Sequence, residues 1–185
     1  MSHPHATVID TATAPSAAAQ PLAVQPATQA DDADVNRITV AAYLGAGHFP
    51  DATTGYMTHI QDAAQRRGAT DVWVVERAGV VIAAVTLAEL GNEWADIARE
   101  GELEFRLLVV DPEVQRSGAG SALVRSILDE GRRRAHIRRV VLTTNPDWVA
   151  ANALYPRLGF ALAPERAWVP SDAPHLTLSV YTQEV

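Results

Sequence analysis

The chemistry in this chain is densest between Leu107 and Leu123, which read Leu-Leu-Val-Val-Asp-Pro-Glu-Val-Gln-Arg-Ser-Gly-Ala-Gly-Ser-Ala-Leu. An apolar run ends at Asp111-Pro112, a short polar loop follows, and glycines open a segment with helical periodicity. Gly118 and Gly120 let backbone approach a ligand with no Cβ in the way. The first N–H groups of a helix starting there have no partner within the helix and lie at the positive end of its dipole. Such a turn suits an anion, above all a diphosphate, and the Arg116 side chain adds a charge-assisted donor. A nucleotide-binding P-loop needs Gly-Lys-Ser/Thr where this chain has Gly120-Ser-Ala, and a dinucleotide fingerprint needs a third spaced glycine that is missing. On spacing alone, the alternative is a pair of glycines that merely start a helix.

A second block lies downstream: Ala153-Leu-Tyr-Pro-Arg-Leu-Gly-Phe160. Gln115-Arg-Ser-Gly-Ala-Gly120 resembles the Gln/Arg-x-x-Gly-x-Gly/Ala motif of the GNAT superfamily of N-acetyltransferases, and the second block resembles that family's Leu-Tyr-x-x-Leu-Gly-Phe segment. Order and separation are also family-like, and the resemblance spans roughly residues 22–185. It implies a mixed α/β (α+β) fold: a central mixed, mostly antiparallel sheet flanked by helices and splayed between the fourth and fifth strands. It also implies acetyl-CoA as co-substrate, no metal, a primary amine as acceptor attacked directly, and room for a homodimer.

Carried onto this chain, the resemblance places the pantetheine arm against the backbone of Leu108, Val109 and Val110. An amide near Val109 would polarise the thioester carbonyl. The diphosphate falls to the loop and first turn formed by Gln115, Arg116, Ser117, Gly118, Ala119, Gly120 and Ser121. Tyr155 takes the place of the tyrosine that protonates the departing thiolate; its alternative is a structural residue whose hydroxyl caps a core contact. Glu104 stands eleven residues before Gln115, where the histone-acetylating branch carries a glutamate base. Strand alternation puts Glu102, Glu104 and Arg106 on one face, so Glu104 reads equally as a solvated partner of Arg106. One departure is plain: many relatives carry an Asn seven residues before the tyrosine, where this chain has Trp148, and neither Asn152 nor Asn145 simply inherits that role. Trp94 and Trp168 fall where the family shapes its acceptor pocket, with ordinary packing as the alternative reading of each. Trp73 reads as core.

These segments need a scaffold, and 185 residues supply one ordinary domain with a tail. Residues 1–22, rich in Ala, Thr and Pro, read as a disordered tail without a secretory signal, and 23–185 as the domain. Acids at 31–34 precede a helix to about Leu44, and a second helix is expected over Thr54–Arg67. Asp71–Glu76 and Val80–Leu87 flank Arg77-Ala-Gly79 as a hairpin, a polar insertion covers Gly91–Gly101, and Leu103–Val110 forms the next strand. An amphipathic helix over Gly118–Ala135, a strand at Val140–Leu142, a helix over Trp148–Leu158 capped by Gly159, and strands at Phe160–Leu162 and Leu176–Tyr181 complete the order.

Composition narrows the function classes. The net charge is −7, and residues 1–100 carry all of it, with 5 Arg against 12 acids; residues 101–185 balance 10 against 10. An acidic chain is a poor general binder of nucleic acid and attracts cations such as amines. A small-molecule amine is therefore the expected acceptor, with a protein N-terminus or lysine, or a non-catalytic acyl-CoA sensor, as alternatives. No cysteine is present, which excludes a thiol nucleophile. No apolar run approaches the roughly 18 residues of a membrane span, and a cytoplasmic location is expected. The Arg132-Arg-Arg134 and Arg138-Arg139 cluster reads as a solvated face favouring a helix C-terminus, with contact to the 3′-phosphate of the coenzyme as its alternative. His48, His59, His136 and His175 show no metal-ligand spacing; His3 and His5 read as part of the floppy terminus, with a nickel or copper site as the alternative.

Overall fold

The computed structural model describes residues 22–47, 49–114, 116–171 and 173–185. The expected tail over 1–22 lies outside these except for Leu22, which packs against the core. His48 and Gln115 lie outside them too.

Seven strands form one sheet in the order β1-β2-β3-β4-β5-β7-β6. They are β1 (Val24–Pro26), β2 (Asp71–Arg77), β3 (Val80–Glu89), β4 (Glu102–Val110), β5 (Arg139–Thr144), β6 (Ala161–Leu162) and β7 (Ser179–Glu184). Only β4 and β5 pair parallel, and all other neighbours are antiparallel. The β2–β3 hairpin turns through Ala78 and Gly79, both at positive φ (53° and 77°), the backbone of a type I′ turn.

Helices cover both faces: α1 (Asp32–Gly45), α2 (Gly55–Ile60) and α3 (Ala63–Ala69) on one, α4 (Ala119–Arg133) and α5 (Val149–Arg157) on the other. Residues 81–88 of β3, covered on both sides, are all buried, as expected for a central strand. On α4, Leu123, Val124, Ile127 and Leu128 enter the core, each worth about 1.5–3 kcal/mol of burial. The single helix expected over 54–67 is two. Asp62 accepts from Gln65 N at 2.9 Å and caps α3, because an aspartate at a helix start satisfies an amide that nothing else would. Asp32 then clamps α1 to α3 by a forked pair with Arg67 at 3.0 and 2.9 Å.

Two irregularities of β4 set up the site. Between the pairs Thr86↔Arg106 and Ala84↔Val109, two β4 residues oppose one of β3. This is a bulge, and Leu107 sits in it at φ +50°. On the other side, pairing with β5 runs from Glu102↔Arg139 to Phe105↔Leu142 and stops. Beyond Phe105, β4 continues to Val110 while β5 turns its remaining rungs, Thr143 and Thr144, to β7 alone. The sheet is splayed between the fourth and fifth strands.

Candidate functional site

The gap starting at Phe105 leaves one edge of Arg106–Val110 without a strand partner among the described residues. Backbone polar groups there are open to a ligand that pairs like a strand. Leu108 and Val110, both partly buried, pack with the α4–α5 layer, whereas Leu107 and Val109 belong to the α1–α3 layer.

At the end of β4 the chain turns through Arg116 (φ +64°) and Gly118 (φ +85°) into α4. Gly118 is the N-cap and offers no side chain to the helix amides. The first helix amide to close is that of Ala122, on the carbonyl of Gly118 at 2.9 Å. Ala119 N reaches only Ser117 Oγ at 3.4 Å, and no hydrogen bond in the described chain uses the amides of Gly120 and Ser121. These donors, unused among the described residues, lie at the positive end of a helix, an arrangement, or cradle, that suits an anion. A Cβ on Gly120 would stand 3.4 Å from Val110 Cγ2, 3.6 Å from Leu108 Cδ2 and 3.9 Å from Leu154 Cδ2, so the glycine keeps open the wall between cradle and gap. The residues present fit an acyl-coenzyme: donors for a diphosphate, then a backbone edge for an amide-bearing arm. At Gly118 the positive φ is required; Gly118→Ala is expected to cost about 1–2 kcal/mol of stability and to weaken coenzyme binding, read by thermal melts with and without acetyl-CoA.

Tyr155 lies on α5, fully inside the α4–α5 layer, with its ring 5.9 Å from Phe105, 6.1 Å from Phe160 and 5.7 Å from Tyr181. Burial, reinforced by Tyr181, pushes its phenol well above the usual tyrosine range, so it stays protonated at neutral pH. No hydrogen bond within the described chain engages its hydroxyl.

Glu104 is not solvated. It is completely buried, and Oε2 accepts from three successive amides, Asp96 at 3.0 Å, Ile97 at 2.9 Å and Ala98 at 2.9 Å. Its other oxygen, Oε1, has no hydrogen-bond partner and stands 3.8 Å from Arg106 Nε. Burial raises its pKa, against the amides and Arg106, which lower it. The polar insertion is therefore a nest closed on a β4 carboxylate, a contact no local pattern announces. Arg166, between β6 and β7, fastens the nest from outside through Glu102 (2.8 and 2.9 Å) and the carbonyl of Ile97 (3.0 Å).

Trp94 is buried and stacked on His59 with centroids 4.3 Å apart. Trp168 is half-buried, and its indole N–H donates to Thr143 at 3.1 Å, beside the gap. Trp73 is only half-buried, at the rim of the core. Trp148, which sequence reasoning marked only as a missing asparagine, meets Tyr43 edge-on at 5.8 Å. Asn152 Nδ2 is spent on the carbonyls of Asn145, Pro146 and Trp148, and Asn145 Oδ1 on Asp147 N. Arg134 of the basic cluster is only half-exposed and held by Asp71, Glu89 and Glu130 at 2.7–2.9 Å. It lies just past the last residue of α4, roughly 20 Å along the helix from the cradle. An open cleft of about 720 Å³ at that end, lined by Val24, Trp73, Glu130 and Arg134 among others, is separate from the gap.

Among the described residues no His, Cys, Asp and Glu cluster is arranged to hold a metal ion, and no helix is long and apolar enough to cross a membrane. A family model described as the acetyltransferase (GNAT) family matches residues 35–160. No functionally curated protein matches in sequence. Solved structures with the same fold include a ribosomal-protein-alanine N-acetyltransferase from Brucella melitensis: 19% identity, 89% of this chain and 100% of that chain covered, TM-score 0.67. Another is yncA, described as a putative acetyltransferase from Salmonella typhimurium with its cofactor acetyl-CoA: 22% identity, 88% and 93% covered, TM-score 0.65. A third is an IAA acetyltransferase from Bacillus cereus: 15% identity, 89% and 100% covered, TM-score 0.60.

Proposed function

The chain belongs to the acetyltransferase (GNAT) family, and we propose that it moves the acetyl group of acetyl-CoA to a primary amine of a small molecule by direct attack. The observation that carries this reading is the continuity of the unpaired Arg106–Val110 edge with the open amides of Gly120 and Ser121 across a Cβ-free wall. Bound acetyl-CoA supplies an activated carbonyl and a thiolate leaving group. In this reading the loop and first turn, Gln115 to Ser121, bind the diphosphate, and the backbone of Leu108, Val109 and Val110 aligns the arm. Fixed amides of that edge then face the carbonyl oxygen, where preorganised donors are worth most.

An amine attacks only as the free base, so a group must take its proton. Glu104 Oε1 is the buried acceptor for that proton, while Oε2 stays locked in its nest. The Tyr155 phenol, kept protonated by burial, delivers a proton to the departing sulfur. In sum, the amine nitrogen gains a bond to the acetyl carbon and the carbon–sulfur bond breaks; of the two protons an ammonium nitrogen sheds, Glu104 takes one and the other replaces, by way of solvent, the proton that Tyr155 gives to sulfur.

Because burial raises the Glu104 pKa, the acidic limb of the rate profile should lie above the ordinary glutamate range. Stability follows the same sign. Glu104's contribution is complete below the unfolded glutamate pKa and is lost as pH rises through the higher folded value. Glu104→Gln keeps an oxygen for the nest amides. It should lower kcat/KM roughly tenfold at neutral pH, since solvent still accepts protons, and flatten the acidic limb; an unaltered limb removes Glu104 from the reaction. The whole reading is tested by thiol release from acetyl-CoA against a panel of small amines and peptides, beside calorimetry of the coenzyme. Coenzyme binding without turnover of any amine would instead mark an acyl-CoA sensor.

A further inference from the structure

Four side-chain polar atoms among the described residues are buried without a hydrogen-bond partner, and three lie in the α1–α3 layer: Arg66 Nε, Trp94 Nε1 and Glu104 Oε1. Each such atom costs about 1–3 kcal/mol, and native folds leave few of them. These three gather around Arg106, which pairs with Thr86, donates to the Trp94 carbonyl and faces Glu104. Such a concentration is that of a site built for a polar ligand.

Arg66 is the most demanding of the three. It is fully buried on α3, and its guanidinium donates only to two neutral hydroxyls, Thr86 Oγ1 at 3.2 Å and Thr39 Oγ1 at 3.4 Å. No carboxylate in the described chain comes within ion-pair distance of it, whereas Arg106 has Asp96 at 2.5 Å and Arg166 has Glu102 at 2.8 Å. A buried charge without a counter-ion is among the costlier features a fold retains. Burial lowers the Arg66 pKa to about 10, which leaves it cationic at neutral pH.

The layer thus holds a cation that has Asp62 and Asp32 in its field but no ion-pair contact among the described residues, with an unpartnered N–H. It also holds a carboxylate oxygen that accepts no hydrogen bond among the described residues and has Arg106 at 3.8 Å. Register brings them near: Thr86, which anchors Arg66, pairs with Arg106, and Glu104 is the next same-face residue of β4, opposite Ala88, roughly 7 Å along the strand. That backbone spacing places the two groups within reach of one small molecule bearing both an anionic and an amino group. Beside them Tyr43 packs against Phe49, Tyr56 and Trp148 with centroids 5.8–6.4 Å apart. The last three rings are half-buried and offer an apolar wall that solvent reaches.

We infer that the acceptor is a free α-amino acid with a large apolar side chain, its carboxylate paired with Arg66 and its amino group presented to Glu104. This rests on the acetyl-transfer reading and deepens it. The test compares phenylalanine, phenylalaninamide and phenethylamine as acceptors for the wild-type protein, with calorimetry of phenylalanine in the presence of CoA. Phenylalanine should show a kcat/KM at least 20-fold above both probes that lack the carboxylate. Arg66→Lys and Arg66→Met should compress that ratio to within about threefold. The comparison of acceptors on the unaltered protein stands even if neither variant folds. Equal or better turnover of phenethylamine overturns the inference and leaves acetyl transfer intact. Phenylalanine that binds but is not acetylated keeps the site and overturns the reaction.

Discussion

Gly120→Leu should lose acetyl-CoA affinity by about 100-fold, close to 2.7 kcal/mol, while the folded protein keeps its stability to within about 1 kcal/mol. The two halves of that expectation have separate causes. The added Cβ already meets Val110 Cγ2 at 3.4 Å, Leu108 Cδ2 at 3.6 Å and Leu154 Cδ2 at 3.9 Å. The rest of the side chain must therefore compete for space beside the stretch of β4 to which the proposed function assigns the arm of the coenzyme. Gly120 itself is not at positive φ, and leucine is a better helix former than glycine. Nothing in the backbone therefore opposes the change. Calorimetry gives the affinity and a denaturant melt the stability; an unchanged dissociation constant would remove the cradle and the gap from coenzyme binding together.

Tyr155→Phe should lower kcat by a factor of about 100 to 1,000, with the KM for acetyl-CoA within threefold. The ring contacts to Phe105, Phe160 and Tyr181 survive the substitution, and the hydroxyl has no partner in the described chain to abandon. Stability should change little for both reasons. The elevated phenol pKa also means that Tyr155 should set no alkaline limb in the ordinary tyrosine range. If kcat stays within threefold of wild type, Tyr155 is a packing residue and the leaving group takes its proton from solvent.

Both substitutions probe residues visible from local pattern. Gly118 and Gly120 mark a turn into a helix because only their missing Cβ permits the bend and the close approach, and such chemistry is written within a few residues. The same holds for the Ala78–Gly79 turn, the apolar stripe of α4, and the positive φ of Gly159 after α5. The break at Asp62 is a local conflict: helical periodicity runs across it, but a capping aspartate starts a new helix there.

Glu104 shows where local pattern stops. Alternation placed it on a face with Glu102 and Arg106, which is where it lies. Whether that face was wet or dry depended on the insertion folding back to give it three amides, and on Arg166, some sixty residues on, holding the insertion down. Trp94 and Trp148 depend on distant partners in the same way. The tryptophan of a polar loop is buried against His59, and the one that replaced an expected asparagine joins a half-exposed aromatic wall.

By itself the sequence determined the order of elements, the glycine turn and its place before α4, because these follow from backbone sterics, capping and periodicity over short spans. Only the tertiary structure decided that β4 leaves β5 at Phe105, that Leu107 sits in a bulge, and that Arg66 is buried with no ion-pair contact among the described residues. Strand pairing, burial and charge compensation are set by partners tens of residues away. No window of sequence contains both sides of those contacts.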